Sequence, residues 1–144
     1  MRTGWIPPRS PYSLIQEDLW PDEWLILVAC MMLNCTTRKQ VEKVLPEFRR
    51  RWPTPQAFAG SEPGEVRDLI RPLGFANRRE ANLRKMTAAY LAGGWKHAQE
   101  LPGIGAYAAA AWEIFCAGHL PEECPKDHAL TQYWHWATKR GKRA

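Results

Sequence analysis

The amino-acid sequence predicts an all-α protein, and three observations support that fold class. Apolar residues recur three and four positions apart, as on one face of a helix, most clearly at Val41, Val44, Leu45 and Phe48. Proline, glycine and hydroxyl residues stand where helices begin and end. No stretch alternates apolar and polar residues as a half-buried strand does, and no internal repeat is present. With 144 residues, 45% of them hydrophobic, we predict one domain over residues 1–144 with a substantial core.

The first predicted elements follow a proline-rich, extended arm over residues 1–12. A short helix is predicted over residues 13–20. The next helix is predicted over residues 21–34, with Pro21 at its first position. Its run LILVACMML is apolar on nearly all sides, which is typical of a central buried helix.

A capping box of the form T-x-x-Q, from Thr37 to Gln40, starts the third helix. This helix is predicted to end at Arg49, Arg50 and Arg51, where positive charge is favourable beside the carbonyl end of the helix dipole. We interpret these arginines as a solvated helix end, and contact with phosphate is the alternative.

Six further helices are predicted in the rest of the chain. Thr54 before Pro55 has the form of an N-cap followed by proline in the first turn. The segment PLGF at residues 72–75 interrupts the helical pattern, and Gly93 and Gly94 end the longest helix. The predicted ranges are 55–59, 63–70, 77–91, 95–101, 106–116 and 128–139. The basic tail KRGKRA is expected to fray.

The chain is basic, with a formal charge of +5 and an isoelectric point near 9.2. This balance favours an anionic partner, and nucleic acid is the first candidate. An ordinary protein with a basic tail is the alternative. The sequence has no apolar run long enough to span a membrane, and its N-terminus lacks the apolar core of a signal peptide. We therefore expect an intracellular location and no membrane partner.

The segment LPGIG at residues 101–105 organises the second half of the chain. Gly103 and Gly105 are predicted to take positive φ and to let the backbone approach a ligand closely. The N–H groups at the start of the following alanine-rich helix would face the same ligand with the positive end of the dipole behind them, which suits a phosphate. A loop rich in proline and glutamate then leads to one carboxylate, Asp127.

The cysteines allow two interpretations. Cys30 lies in the apolar run of the second helix and is interpreted as a small buried hydrophobe, and an intracellular location argues against disulfides. Cys116, His119, Cys124 and His128 could ligate zinc, but their spacing, C-x2-H-x4-C-x3-H, is unlike a standard zinc finger. Two buried thiols with two ordinary histidines are the preferred interpretation, so no metal is predicted.

The segments LPGIGAY at residues 101–107 and PKD at residues 125–127 resemble the hairpin and catalytic loop of the helix-hairpin-helix (HhH-GPD) DNA glycosylase superfamily. Within it, the chain is similar to the glycosylase domain of the methyl-CpG-binding thymine DNA glycosylases. Four further segments carry this likeness: RTGWIPPRSPYSLIQE at 2–17, MLNCTTRKQ at 32–40, IRPLGF at 70–75 and PKDHALTQYWHW at 125–136.

The resemblance implies a two-lobed helical fold beside a cleft, with the helix-hairpin-helix at about 95–117 and the catalytic loop at 118–127. The middle of the chain would form one lobe, and the hairpin and Asp127 would belong to the other. Several relatives hold an iron–sulfur cluster on four cysteines that follow the catalytic Asp. No cysteine follows Asp127 here, so we expect neither that cluster nor another cofactor.

The resemblance also implies roles for three residues in the cleft. Asp127 matches the catalytic carboxylate, although by position alone it would rather cap the helix that begins at His128. Tyr107, the second catalytic candidate, stands where bifunctional relatives carry the Lys that forms a Schiff base, so a monofunctional enzyme is implied. Its ring would pack on the flipped base, and ordinary core packing is the alternative. Gln16 matches the residue that hydrogen-bonds the pyrimidine edge.

A further set of residues is implied to contact DNA: Asn34, Cys35, Thr36, Arg38, Leu73, Gly74 and Phe75 from one lobe, and Gly103, Ile104 and Gly105 in the hairpin. Cys35 departs from the subfamily, which has at this position an Arg that fills the space left by the flipped base. Either Arg38 or Phe75 would compensate, or the mismatch preference differs. The alternative for Leu73 and Phe75 is that both are core residues.

These observations predict a monofunctional glycosylase of base excision repair. It would hydrolyse the N-glycosidic bond of uracil, thymine or a related modified pyrimidine opposite guanine in double-stranded DNA, acting as a monomer. The alternative is a non-catalytic helix-hairpin-helix DNA-binding module. Such a module has no need of the Asp127 carboxylate, which would weaken binding beside phosphates.

Overall fold

The computed structural model describes the backbone of residues 6–143 and the side chains of residues 6–140. Within that range the chain forms helices and no strand, which confirms the all-α class. The α-helices are α1 (Ile15–Leu19), α2 (Glu23–Leu33), α3 (Arg38–Arg51), α4 (Pro55–Ala59), α5 (Pro63–Ile70), α6 (Ala76–Ala92), α7 (Ala106–Trp112) and α8 (His128–Arg143). Short 3-10 turns lie at Arg71–Leu73 and Ala98–Glu100, and α7 continues as a π-helical turn over Glu113–Ala117.

Helix α2 lies at the centre of the molecule and contacts α1, α3, α6 and α7. Its sequence is apolar on nearly every side, so each face can be buried against a different neighbour. The side chains from Trp24 to Cys30 are all buried. Because full burial of one large aliphatic side chain contributes about 1.5–3 kcal/mol, α2 is the main anchor of the core.

One lobe consists of α3, α4, α5 and α6 packed on one side of α2. An aromatic cluster fills its centre, where Trp24, Phe48, Trp52 and Phe58 stand with ring centroids 5.2 to 6.2 Å apart. Aromatic pairs at this spacing add about 0.5–1.5 kcal/mol each beyond the area they bury. The cluster therefore holds α2, α3 and α4 together at the centre of this lobe.

The second lobe combines the N-terminal arm, α1, α7 and α8. Phe115 packs on Tyr133 with ring centroids 5.1 Å apart. The Tyr133 hydroxyl donates a hydrogen bond of 2.6 Å to the carbonyl of Pro8 and so ties the arm to α8. Within the described residues the predicted arm is packed on the domain at Pro7, Pro8 and Ser10, whereas Ile6 is 70% exposed. Residues 1–5 lie outside the described residues.

Several predicted helix ends are confirmed. Thr37 and Gln40 form the capping box of α3, and Thr54 accepts a hydrogen bond from the N–H of Ala57 as the N-cap of α4. Gly93, with a φ of 73°, ends α6 as the sequence predicts. In each case the signal is local, because the partners lie within four residues of one another.

Two predicted boundaries are wrong. Helix α2 starts at Glu23 with Asp22 as its N-cap, so Pro21 precedes the helix instead of occupying its first position. The first helix of the hairpin motif, predicted over 95–101, is only the 3-10 turn Ala98–Glu100. The side chain of Glu100 accepts the N–H groups of Lys96 and His97 and so caps that turn instead of allowing a longer helix.

Helix α8 continues to Arg143, beyond the end predicted at residue 139. No helix in the described part of the chain combines the length and apolar character that a membrane crossing requires.

Candidate active site

A cleft of about 600 Å³ lies between the two lobes. Four segments meet there: α1, the loop from α2 to α3, the start of α7, and the start of α8. The polar side chains that line it are Gln16, Asn34, Cys35, Thr36, Arg38, Tyr107, Asp127 and His128. The fold therefore brings together three residues that the sequence predicted for one site, Gln16, Tyr107 and Asp127, although they lie far apart in the chain.

Gln16 is buried, and its amide group joins three elements. Its Nε2 donates a hydrogen bond of 2.6 Å to the Tyr107 hydroxyl and one of 3.4 Å to the Cys30 sulfur. Both amide hydrogens are therefore used inside the protein. The carbonyl oxygen Oε1 accepts no hydrogen bond from a described residue, so it can accept one from a ligand.

Burial keeps the two partners of Gln16 protonated. It raises the pKa of the Cys30 thiol to about 12, and the Asp127 charge adds to the shift. Burial also raises the pKa of Tyr107 above its ordinary value, with smaller contributions from Cys30 and Asp127. Cys30 is 1% exposed and so is buried, as the sequence predicts. It is also a polar contact of Gln16 that sequence reasoning missed.

Asp127 has a structural role that the sequence left as an alternative. Its Oδ2 accepts a hydrogen bond of 3.1 Å from the N–H of Leu130, and its carbonyl accepts one from Thr131, so Asp127 is the N-cap of α8. Its other oxygen, Oδ1, accepts no hydrogen bond from a described residue. One carboxylate can thus cap the helix and still offer an oxygen to the cleft.

Two loops, at residues 34–36 and 73–75, lie opposite the hairpin and are called the rim loops; only the first also lines the cleft. Each contains an exposed residue with left-handed backbone conformation. Cys35 has a φ of 61°, and Phe75 has a φ of 51° with 68% of its surface exposed. Only a few per cent of non-glycine residues adopt positive φ. A second cavity, of about 460 Å³, lies between these loops and the hairpin and shares Asn34, Cys35 and Tyr107 with the cleft.

The predicted DNA-contacting residues differ in exposure. Leu73 is 5% exposed, so its side chain belongs to the core, whereas Phe75 does not. Asn34 and Gly74 are exposed, and Thr36 is half-buried. Arg38 is exposed but pairs with Glu42 at 2.6 Å.

The two glycines of the hairpin differ in backbone conformation and in the space around them. Gly103 has a φ of 80°, and a Cβ on it would stand 2.9 Å from the Cε of Met31. Gly105 has a φ of −92° and open space around it, so the prediction of positive φ at Gly105 is wrong. It is the N-cap of α7, a position where extended backbone is usual. Ile104 is 7% exposed, and its side chain packs in the core.

A buried carboxylate, Glu17, positions α1 and therefore Gln16. Its two oxygens accept hydrogen bonds of 2.6 to 2.7 Å from the N–H and hydroxyl of Ser10 and from the N–H of Leu14. These bonds close the loop in which Ser13 has a φ of 48°. Sequence reasoning missed Glu17, although a Glu three residues after a helix N-cap is a recognised signal.

The four possible zinc ligands do not come together. Among the described residues, no group of three or more His, Cys, Asp or Glu side chains is placed to hold a metal ion. Cys116 is buried, and Cys124 contacts the ring of His135 at 3.9 Å. The structure therefore gives no support to the zinc alternative.

Comparison with protein families matches residues 28–141 to a family described as HhH-GPD superfamily base excision DNA repair protein. A methyl-CpG-binding domain protein 4-like protein from Arabidopsis thaliana is 38% identical over 96% of this chain and 31% of its own length. A thymine-DNA glycosylase from Aeropyrum pernix is 43% identical over 62% of this chain and 43% of its own length. A thymine/uracil-DNA glycosylase from Pyrobaculum aerophilum is 34% identical over 62% of this chain and 42% of its own length. The chain spans less than half the length of each relative.

Among solved structures, a thermostable thymine-DNA glycosylase superposes with a TM-score of 0.60. The identity is 22%, and the match covers 77% of this chain and 51% of that chain. This likeness concerns the fold, and it confirms the two-lobed helical architecture that the sequence motifs imply.

Proposed function

Since this chain belongs to the HhH-GPD superfamily of base excision DNA repair proteins, we propose that it is a monofunctional DNA glycosylase. Its substrate would be uracil, thymine or a related modified pyrimidine opposite guanine in double-stranded DNA. The observation that carries the proposal is the meeting of Gln16, Tyr107 and Asp127 in one cleft. The relatives named for thymine and uracil support the substrate class.

Cleavage of the N-glycosidic bond leaves positive charge on the sugar and negative charge on the departing base. Asp127 is proposed to stabilise the cationic sugar and to take a proton from the attacking water. Its Oδ1 suits this role because it has no hydrogen bond from a described residue, while Oδ2 is fixed by the N–H of Leu130. The cap therefore orients the carboxylate for the reaction.

The target base must leave the helical stack before its sugar can reach Asp127. Gln16 and Tyr107 are proposed to receive it. Both amide hydrogens of Gln16 are donated to Tyr107 and Cys30. Gln16 therefore has no donor left for a base and can offer it only the acceptor Oε1. An acceptor complements the N3–H of uracil or thymine and opposes the unprotonated N3 of cytosine.

Duplex DNA is proposed to lie across the hairpin and the two rim loops. Gly105 offers open, exposed backbone at the start of α7, which suits close approach of a phosphate. Of the two side chains that could replace the missing Arg at Cys35, Arg38 is already paired with Glu42. Phe75 is exposed and apolar, so it is proposed to enter the base stack where the target has left.

Analysis of the reaction products tests the proposed function. A duplex with one G·U or G·T pair should lose the pyrimidine as a free base, detected by mass spectrometry, while its strand breaks only after alkali. Borohydride should trap no covalent adduct, because Tyr107 cannot form a Schiff base. Matched duplexes with G·C and A·T pairs are the controls. Binding without base release would favour the non-catalytic module, and a trapped adduct would contradict the monofunctional mechanism.

A further inference from the structure

Arg79, in the first turn of α6, has an unusual set of partners. All of its described hydrogen bonds go to backbone carbonyls, at distances from 2.7 to 3.4 Å. The acceptors are the carbonyls of Met31, Met32, Asn34, Leu73 and Gly74. One guanidinium therefore joins two segments that lie about 40 residues apart in the chain. It can do so because its planar group carries five N–H donors that point in different directions.

The contacts also answer a need of α2. The last carbonyls of any α-helix lack partners within the helix, and the final turn of α2 contains no basic residue of its own. Arg79 of α6 provides donors to these carbonyls, and its positive charge also suits the carbonyl end of a helix. The same side chain then reaches past Leu33 to the carbonyl of Asn34 at 2.8 Å.

The two segments that Arg79 joins contain the rim loops at 34–36 and 73–75, which together line the second cavity; the first of them also lines the cleft. Each loop has its exposed, left-handed residue directly after an acceptor of Arg79: Cys35 follows Asn34, and Phe75 follows Gly74. Non-glycine residues persist in this strained conformation only where their surroundings hold them. Arg79 supplies such a restraint to both loops at once.

We propose that Arg79 is a positioning residue that locks the loops at 34–36 and 73–75 into one rigid rim, so that Phe75 is presented to DNA in a fixed orientation. This inference rests on the proposed function. Arg79 itself would touch neither the base nor the sugar. Its effect on recognition of a flipped base would pass through the backbone that it holds.

A double-mutant cycle separates this role from a purely structural one. Arg79→Met, Phe75→Ala and the double variant are compared for binding to a duplex with a tetrahydrofuran abasic analogue opposite guanine, which requires no catalysis. Arg79→Met alone should weaken binding on the order of ten-fold or more, and less than about three-fold when Phe75 is already Ala, because coupled residues are not additive. Arg79→Lys should restore part of the affinity, since Lys keeps the charge and some of the donors.

Arg84 offers a matched control on the same helix. It is also half-buried and donates to a backbone carbonyl, that of Ser61, while its guanidinium packs 5.1 Å from the ring of Phe58. Arg84→Met should lower stability without coupling to Phe75. If Arg79→Met does not fold, the cycle is run with Arg79→Lys.

Additive effects of the Arg79 and Phe75 substitutions, or an Arg79 variant that behaves as the Arg84 variant does, would overturn the proposal. The result is independent of excision. A parent protein that excises base but gives an additive cycle contradicts only the role of Arg79. Coupling on the abasic analogue without any excision by the parent contradicts only the proposed function.

Discussion

Asp127→Asn is expected to reduce base excision by about 10²–10⁴-fold, the loss typical of a positioned acid–base group. The amide keeps the shape of the side chain but carries no charge and cannot take a proton from water. Asn is as good an N-cap as Asp, so the bond to the N–H of Leu130 and the start of α8 should persist. Binding to a mispaired duplex should therefore change little. Single-turnover excision and a binding titration on the same duplex measure the two effects.

Two further variants separate catalysis from capping. Asp127→Ala removes both functions, so it should also destabilise the fold by about 0.5–2 kcal/mol, the usual cost of a lost N-cap. Asp18→Asn, at an exposed carboxylate paired with Arg9, should leave excision unaltered. If Asp127→Asn retains nearly the parent rate, Asp127 is a helix cap and nothing more.

Glu17→Gln is expected to produce the largest loss of stability among single-atom changes near the site, about 2–4 kcal/mol. The two carboxylate oxygens each accept a backbone N–H, one from Ser10 and one from Leu14. Whichever way the new amide turns, its NH2 group faces one of these donors. Since α1 is held by these bonds, Gln16 should lose its fixed position and excision should fall as well. Urea unfolding and excision assays on the same preparation test this.

Glu100→Gln is the matched control for this prediction. Glu100 also accepts two backbone N–H groups, those of Lys96 and His97, but it is exposed. These bonds lower the pKa of Glu100, yet water can replace them when they are lost. The loss of stability should thus be clearly smaller than at Glu17. Equal losses at the two sites would mean that the buried cluster around Glu17 does not hold the arm as described.

The elements that the sequence predicted well are those with local causes. The capping box of Thr37 and Gln40 and the Thr54-Pro55 start need partners only three residues away, and both are present. The sequence predicts too early a start for α2 because Pro21 and Asp22 both suit the beginning of a helix. The structure favours Asp22, whose side chain accepts the N–H of Leu25. Sequence alone does not rank such neighbouring signals.

The hairpin was less predictable, because its conformation depends on what surrounds it. Both glycines suit positive φ equally well in the sequence. Only Gly103 takes it, where Met31 and Asn82 press against the backbone. The turn at Ala98–Glu100 is likewise decided by the side chain of Glu100, which turns back to cap it. Composition could not distinguish these outcomes.

The site was predictable where the family resemblance supplied the residues, and not elsewhere. The motifs that carry the resemblance contain Gln16, Tyr107 and Asp127, and the fold brings these residues to one cleft. Arg79 and the sulfur of Cys30 have no local signal, because their contacts join residues from different elements. Such contacts follow from the packing of α1, α2 and α6, which periodicity does not determine.

The most direct test is a crystal structure of Asp127→Asn bound to a duplex that contains a G·U pair. The account predicts that the uracil lies outside the stack in the cleft, with its N3–H donated to Oε1 of Gln16 and its ring against Tyr107. Its sugar should then stand beside residue 127, with Phe75 in the duplex. A uracil that stays paired with guanine, or that occupies another cavity, would contradict the account.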